Sequence, residues 1–280
     1  MDSWNKLSNT LLEKNHIKIP IEKRFFLSFI EDDETNINKH KILKEITENG
    51  FLVNDPRLSQ FRNNLKLLVK TNSINYEEFK YCIDNHICIL KKIFQKDLII
   101  PQFKLFTDKI TEIYNDTLKY KNGKSADYIP QLARVNPEQY GISICTIDGQ
   151  RFNIGDSDVD FTVQSCCKPI NYGIVLEELG ETEVHKYVGR EPSGQSFNEL
   201  LLNKEGKPHN PLINSGAIMT TSLIKKELNI SERFEYIIDV WTKLAGNLYK
   251  IGFNNPVYLS EKNTADRNFA LAYFMKEIND

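Results

Sequence analysis

The chain has 280 residues, of which 40% are hydrophobic and 26% charged, and its formal net charge is −2. This composition is typical of a globular protein with room for two domains, and without a basic excess neither nucleic acid nor an anionic membrane surface is an expected partner. No apolar run reaches the roughly 20 residues that a transmembrane helix needs, so membrane insertion is not expected.

The cysteines and the N-terminus bear on the cellular compartment. Five cysteines without regular spacing indicate free thiols in a reducing, intracellular environment. The first residues include an early aspartate and no apolar segment, which is unlike a secretory signal. No arginine precedes Arg24, so a mitochondrial targeting segment is not expected either.

The first part of the chain is predicted to be a helical bundle. From Ser3 to about Lys121, apolar residues recur at the spacing of helices that pack on one face. The polar, glycine-containing segment that follows marks the predicted domain boundary. We therefore expect a helical domain over residues 1–121 and a second domain over residues 122–280.

Two clusters in the first domain resemble metal ligands only superficially. The acidic run at 31–34 lacks the alternating ligands and central glycine of a calcium-binding EF-hand loop, so a solvated loop is expected. Cys82, His86 and Cys88 match no zinc spacing and are interpreted as helix positions. No metal site is predicted.

The spacing of apolar residues changes after Tyr140. Residues 140–147 largely alternate between apolar and polar, Asp148-Gly149 is a strong hairpin signal, and residues 150–154 form the predicted return strand. A further short strand is expected at 161–163. Helices are predicted over residues 170–179, 181–188, 198–202, 217–228, 234–245 and 268–278. The predicted fold class is α+β, a helical bundle followed by an antiparallel sheet and a helical cluster.

The candidate nucleophile lies in Gln164-Ser165-Cys166-Cys167-Lys168-Pro169. If Ser165 opens a helix, Lys168 lies one turn later on the same face. The amine can then take the proton of the hydroxyl, and the free N–H groups of the helix start can stabilise an oxyanion. This arrangement is typical of acyl transfer by a serine–lysine pair.

The spacing alone is weakly specific. Ser3/Lys6 and Ser222/Lys225 repeat it, and the alternative for each is a serine cap with a surface lysine. Only Ser165 has a predicted strand before it and an apolar helix after it, with Pro169 in the first turn.

Beyond this pair, the sequence resembles the glutaminase family, the serine-dependent enzymes of β-lactamase-like fold, and in particular the animal kidney and liver type. The N-terminal bundle resembles the family's EF-hand-like helical segment. The motifs that carry the resemblance, besides the nucleophile segment, are residues 127–133, 187–194, Lys207-Pro208-His209-Asn210-Pro211, Asn214-Ser215-Gly216-Ala217-Ile218 and Asp266-Arg267-Asn268-Phe269-Ala270.

The resemblance implies hydrolysis of L-glutamine to L-glutamate and ammonia through a γ-glutamyl ester on Ser165, with Lys168 as the base. It implies a role for Tyr128 at the nucleophile. The substrate-binding residues that it implies are Gln164, Ser165, Asn214, Glu261 and Asn268. No cofactor is implied, whereas phosphate activation, homo-oligomers and a mitochondrial location are.

Four of these residues also have purely structural interpretations. Tyr128 could be a core aromatic residue, and Asn214 could shape a turn before Ser215-Gly216. Glu261 could cap a helix that starts after Ser260, and Asn268 could face solvent.

The family's catalytic domain continues beyond the segment that corresponds to the end of this chain, so the resemblance predicts a shortened, partial β-lactamase-like domain. Two functions follow from it. The chain is expected to be a glutaminase, or else an inactive fragment that associates with full-length glutaminase subunits. A penicillin-binding or β-lactamase-type enzyme shares the serine–lysine pair, but its companion Ser-Asp-Asn and Lys-Thr-Gly motifs are absent from this sequence.

Overall fold

The computed structural model describes residues 19–30, 35–68, 72–83, 87–247 and 251–279. The chain divides into two compact units, Met1–Gly123 with Glu138–Val159 and Lys124–Pro137 with Asp160–Asp280. The hairpin region is therefore grouped with the N-terminal helices, whereas the domain boundary after residue 121 stays a prediction. The expectations for Ser3/Lys6, for the acidic run at 31–34 and for His86 lie outside the described residues.

The first unit contains the predicted helices and a short pair of strands that the sequence pattern did not indicate. Strands β1 (Ile37–Asn38) and β2 (Ser73–Ile74) pair antiparallel, with Ile37 opposite Ile74. A two-residue strand is too short to produce an alternating pattern, so only helices were predicted here. The helices are α1 Ile21–Ser28, α2 Lys39–Glu48, α3 Ser59–Leu67, α4 Tyr76–Ile83, α5 Ile87–Gln95 and α6 Phe103–Thr117, with a 3₁₀ turn at Pro56–Leu58.

Phenylalanine and isoleucine side chains make up most of the core of this unit. Phe79 of α4 is 0% exposed, and the Phe26 ring of α1 packs against it at a centroid distance of 5.7 Å. Phe25 and Phe94 contact edge to face at 5.2 Å. The helical spacing of these residues brings them to one face of each helix, and their burial stabilises the unit.

Replacing Phe79 by alanine is expected to destabilise the chain by about 3–5 kcal/mol, because the substitution removes a fully buried ring and leaves a cavity. The midpoint of urea unfolding, followed by circular dichroism, measures the loss. Leu67→Ala is the control, since Leu67 is 75% exposed on α3 and should shift the midpoint little. Equal shifts for the two variants would contradict this assignment of the core.

The predicted hairpin is confirmed. Strands β3 (Gly141–Cys145) and β4 (Arg151–Gly155) pair antiparallel, with Ile142 opposite Ile154. Gly149 has a φ of 94°, a conformation that glycine adopts without steric cost. The Asp-Gly signal therefore located the turn correctly.

The second unit is built from helices around a smaller apolar core. Val175, Val184, Val188 and Ile224 are fully buried within it. Its elements are α7 Pro130–Ala133, a 3₁₀ turn at Gln164–Cys166, α8 Cys167–Leu179, α9 Glu181–Val184, α10 Asn214–Leu223, α11 Ile230–Leu244, α12 Asn255–Asn263 and α13 Asp266–Asn279. Asn229 and Glu232 form a capping box at the start of α11, which stabilises that helix end.

Four local predictions for this unit were wrong. Residues 161–163 are not a strand, and Phe161 is 79% exposed, because no strand pairs with them among the described residues. Residues 198–202 are irregular rather than helical. Helix α9 ends at Val184 instead of residue 188, and α10 ends at Leu223 instead of residue 228. Short apolar runs do not specify secondary structure without a partner on which to pack. The α+β fold class itself is confirmed.

Candidate active site

The nucleophile segment has an unusual backbone. Gln164 has a φ of 43°, a left-handed conformation that is strained for a residue with a side chain. The 3₁₀ turn that follows carries Ser165 and leads directly into α8, where Lys168 lies in the first turn. The serine is exposed at this helix start.

Lys168 is half-buried and its ammonium group has two described contacts. Lys168 Nζ donates a hydrogen bond of 2.7 Å to Asn214 Oδ1. It also lies 5.8 Å from the centroid of the Phe197 ring, within the range of a cation–π interaction. Burial lowers the pKa of Lys168, because desolvation disfavours the charged amine.

Asn214 extends this contact to a third helix. Asn214 is the first residue of α10, and its Nδ2 donates a 3.0 Å hydrogen bond to Asn268 Oδ1 on α13. Lys168, Asn214 and Asn268 therefore form a hydrogen-bonded chain across α8, α10 and α13. Asn268 is exposed, which agrees with the purely structural interpretation of this residue, but its side-chain oxygen accepts a hydrogen bond.

Tyr128, Gln164 and Glu261 form a second hydrogen-bonded group. The Tyr128 hydroxyl donates to Glu261 Oε1 at 2.8 Å, and Gln164 Nε2 donates to the same oxygen at 2.5 Å and to the Tyr128 hydroxyl. Desolvation and the hydrogen bond to Glu261 raise the pKa of Tyr128, because both disfavour the phenolate.

The geometry disagrees with two of the structural interpretations. Tyr128 is 55% exposed and is not a core aromatic residue. Glu261 lies near the C-terminal end of α12, where a carboxylate cannot cap the helix start. All seven sequence-predicted residues belong to the second compact unit.

The two groups contain the chemical functions that an amino acid substrate would require. A carboxylate can pair with an ammonium group, asparagine amides can donate to a carboxylate, and an amine of lowered pKa can act as a base. In the described part of the chain, the Ser165 hydroxyl makes no hydrogen bond to Lys168. Catalytic hydrogen bonds often form only in the substrate complex.

Phe197 was missed by the sequence analysis. Its ring lies against the Lys168 ammonium, and its carbonyl accepts the Asn214 N–H at 2.9 Å. Phe197 belongs to an irregular turn region without periodicity, so no local pattern distinguishes it from other exposed apolar residues.

Over the described ranges, no group of three or more His, Cys, Asp or Glu residues is arranged to hold a metal ion. Nor does any described helix have the length and apolar character that crossing a membrane requires.

The described fold is α+β, with the serine–lysine pair at the start of α8 in the second unit. A family model described as glutaminase matches residues 123–280, and an EF-hand domain model matches residues 21–101. The chain belongs to the glutaminase family.

Curated relatives and solved structures agree with this assignment. The rat mitochondrial glutaminase liver isoform is 40% identical over 89% of this chain and 42% of its own length. Putative glutaminase 2 of Caenorhabditis elegans is 44% identical over 85% of this chain and 41% of its own length. The chain thus spans about two fifths of these relatives. The solved probable glutaminase ybaS is 33% identical, with a TM-score of 0.56 over 61% of this chain and 55% of its own.

Proposed function

We propose that the protein hydrolyses L-glutamine to L-glutamate and ammonia through a γ-glutamyl ester on Ser165. The observation that carries this proposal is the exposed Ser165 in the turn before α8, one helical turn from a half-buried lysine whose pKa is lowered. Membership of the glutaminase family supports the choice of substrate.

In the proposed reaction, neutral Lys168 takes the proton of the Ser165 hydroxyl as the oxygen attacks the side-chain amide carbon of glutamine. The same proton can then be given to the departing ammonia. Water attacks the resulting ester, the serine is regenerated, and glutamate leaves. Asn214 supports this role because its Oδ1 holds Lys168 Nζ in place.

The substrate's backbone groups would be held by the remaining residues. Glu261 is proposed to pair with the α-ammonium group, and Asn214 and Asn268 to donate to the α-carboxylate. Gln164 and Tyr128 already contact Glu261 Oε1 and would keep that carboxylate oriented. Tyr128 is also proposed to contact the nucleophile region during the reaction.

The Glu261→Gln variant is expected to raise the KM for glutamine by about tenfold to a hundredfold, because a charge-assisted contact to the substrate ammonium is lost. Steady-state kinetics measure it, with Glu235→Gln as the control, since Glu235 is exposed on α11 of the same unit. An unchanged KM would remove Glu261 from the substrate site.

The experiment that tests the function itself is an assay of glutamate and ammonia release from L-glutamine by the purified chain, beside L-asparagine as a shorter amide. Mass spectrometry of acid-quenched samples then locates the γ-glutamyl adduct. Release from glutamine with an adduct on Ser165 is expected. A folded chain that releases neither product would instead favour the inactive alternative, which binds full-length glutaminase subunits.

Three further properties are proposed from the family alone. The chain assembles into homo-oligomers, phosphate activates it, and it acts in mitochondria. The rat and mouse relatives carry the word mitochondrial in their names, which supports the last of these.

A further inference from the structure

The turn of the β3–β4 hairpin is engaged by the N-terminal helices through its carboxylate. Asp148 Oδ1 accepts from Lys92 Nζ at 2.8 Å, and Oδ2 accepts from the Ile99 backbone N–H at 2.7 Å. The Asp148 side chain is only 10% exposed. These two donors hold the pKa of Asp148 below its ordinary value. A carboxylate that has little exposure and accepts a hydrogen bond at each oxygen is held in one position.

The side chain of Gln150, two residues after Asp148, is also hydrogen-bonded to the N-terminal part of the chain. Gln150 is 0% exposed. Its Nε2 donates to the carbonyls of Asn49 at 3.2 Å and Ile100 at 3.0 Å, and its Oε1 accepts the Ile100 N–H at 3.2 Å. A buried amide with both its nitrogen and its oxygen satisfied constrains the position of the hairpin closely.

The backbone of the turn region is also hydrogen-bonded to the N-terminal part of the chain. Arg57 Nη1 donates to the Asp148 carbonyl at 2.8 Å, and the Arg151 N–H donates to the Gly50 carbonyl at 2.7 Å. Asp55 accepts two hydrogen bonds from the Arg57 side chain and orients it. Gly149 has a φ of 94°, which side-chain-bearing residues rarely adopt, and a Cβ there would displace the Arg57 guanidinium group from its hydrogen bonds.

These contacts join segments that belong to two different family models. Arg57, Lys92 and Ile99 lie within the EF-hand match at 21–101, whereas the hairpin lies within the glutaminase match at 123–280. Within the described ranges, β3 and β4 pair only with each other. An isolated two-stranded hairpin is marginally stable in water, so its order must come from what it packs on.

We propose that the EF-hand-like segment, helices α1–α5 with their connecting loops, serves as the docking platform for the β3–β4 hairpin, with Asp148 and Gln150 as the side chains that the platform recognises. The ligand of this EF-hand-like unit is then a carboxylate and an amide from the same chain. Docking orders the hairpin, whose last residue, Gly155, precedes Ser165 by ten positions in the sequence.

The test is hydrogen exchange on the full chain carrying Asp148→Asn or Gln150→Leu. We expect exchange of the β3–β4 amides, including that of Arg151, to accelerate by about tenfold or more, because a charged or buried hydrogen-bonded contact is lost. Amides of the core helices α2 and α4 should keep their protection. The matched control is Asp108→Asn, which removes an exposed ion pair with Lys104 on α6 and should leave the hairpin unchanged.

A double-mutant cycle distinguishes the loss of this specific contact from a general loss of stability. Lys92→Met alone and Asp148→Asn alone should each accelerate hairpin exchange. The combined variant should accelerate it by less than the product of the two single effects, since both substitutions remove the same ion pair. If Gln150→Leu fails to fold, the double-mutant cycle at Lys92 and Asp148 still tests the proposal. Unchanged hairpin protection in the Asp148 and Lys92 variants would overturn the proposal.

Discussion

Ser165→Ala is expected to lower the rate of glutamine hydrolysis by about 10⁴- to 10⁶-fold, the range found when a serine nucleophile is removed from a hydrolase. The substitution removes the only atom that can form the proposed ester at this position. Because Ser165 is exposed and its side chain makes no hydrogen bond within the described ranges, the variant should fold like the parent chain. Loss of turnover would then report chemistry rather than stability.

The sequence provides a matched control for this experiment. Ser222 and Lys225 have the same spacing, but Ser222 lies near the end of α10 and its hydroxyl donates to the Met219 carbonyl. Ser222→Ala should retain full turnover. If Ser165→Ala retained turnover as well, the assignment of the nucleophile would be wrong, and equal losses in both variants would indicate a folding defect instead.

Lys168→Met is expected to reduce turnover by about 10²- to 10⁴-fold, because the general base is removed while the length of the side chain is kept. Arginine should not rescue the loss, since its guanidinium group stays protonated at accessible pH. Lys225→Met provides the comparison and should leave the rate near that of the parent chain. A Lys168→Arg variant with parental activity would contradict the role as a base.

The pH dependence follows from the direction of the pKa shift at Lys168. Burial lowers the pKa of the amine, so the neutral base becomes available below the pH at which an ordinary lysine would lose its proton. Turnover should rise with pH through this lowered pKa and then level off, and Lys168→Met should lose that limb of the profile. The folded state binds fewer protons than the unfolded state between the two pKa values, so stability should also increase with pH across this window.

Much of the fold could be predicted because it is encoded locally. The apolar spacing around Phe79 and Phe26 identified the helices of the first unit, and Asp148-Gly149 identified the hairpin. These patterns act through hydrogen bonds and burial within a few residues of each other. The same approach was wrong at residues 161–163, where a short apolar run has no described partner strand.

The candidate site likewise combines features that are encoded locally with features that depend on distant parts of the chain. The sequence determined the Ser165–Lys168 pair, because one helical turn links the two residues, and the family resemblance named their neighbours. Only the tertiary structure decided that Asn214, 46 residues away, holds Lys168 and that Tyr128 contacts Glu261 across 133 residues. It alone placed Phe197 against the ammonium group and the hairpin turn on the N-terminal helices. Such contacts depend on how whole helices pack against each other. Packing is decided by side chains that are distant in the sequence, so no local pattern predicts it.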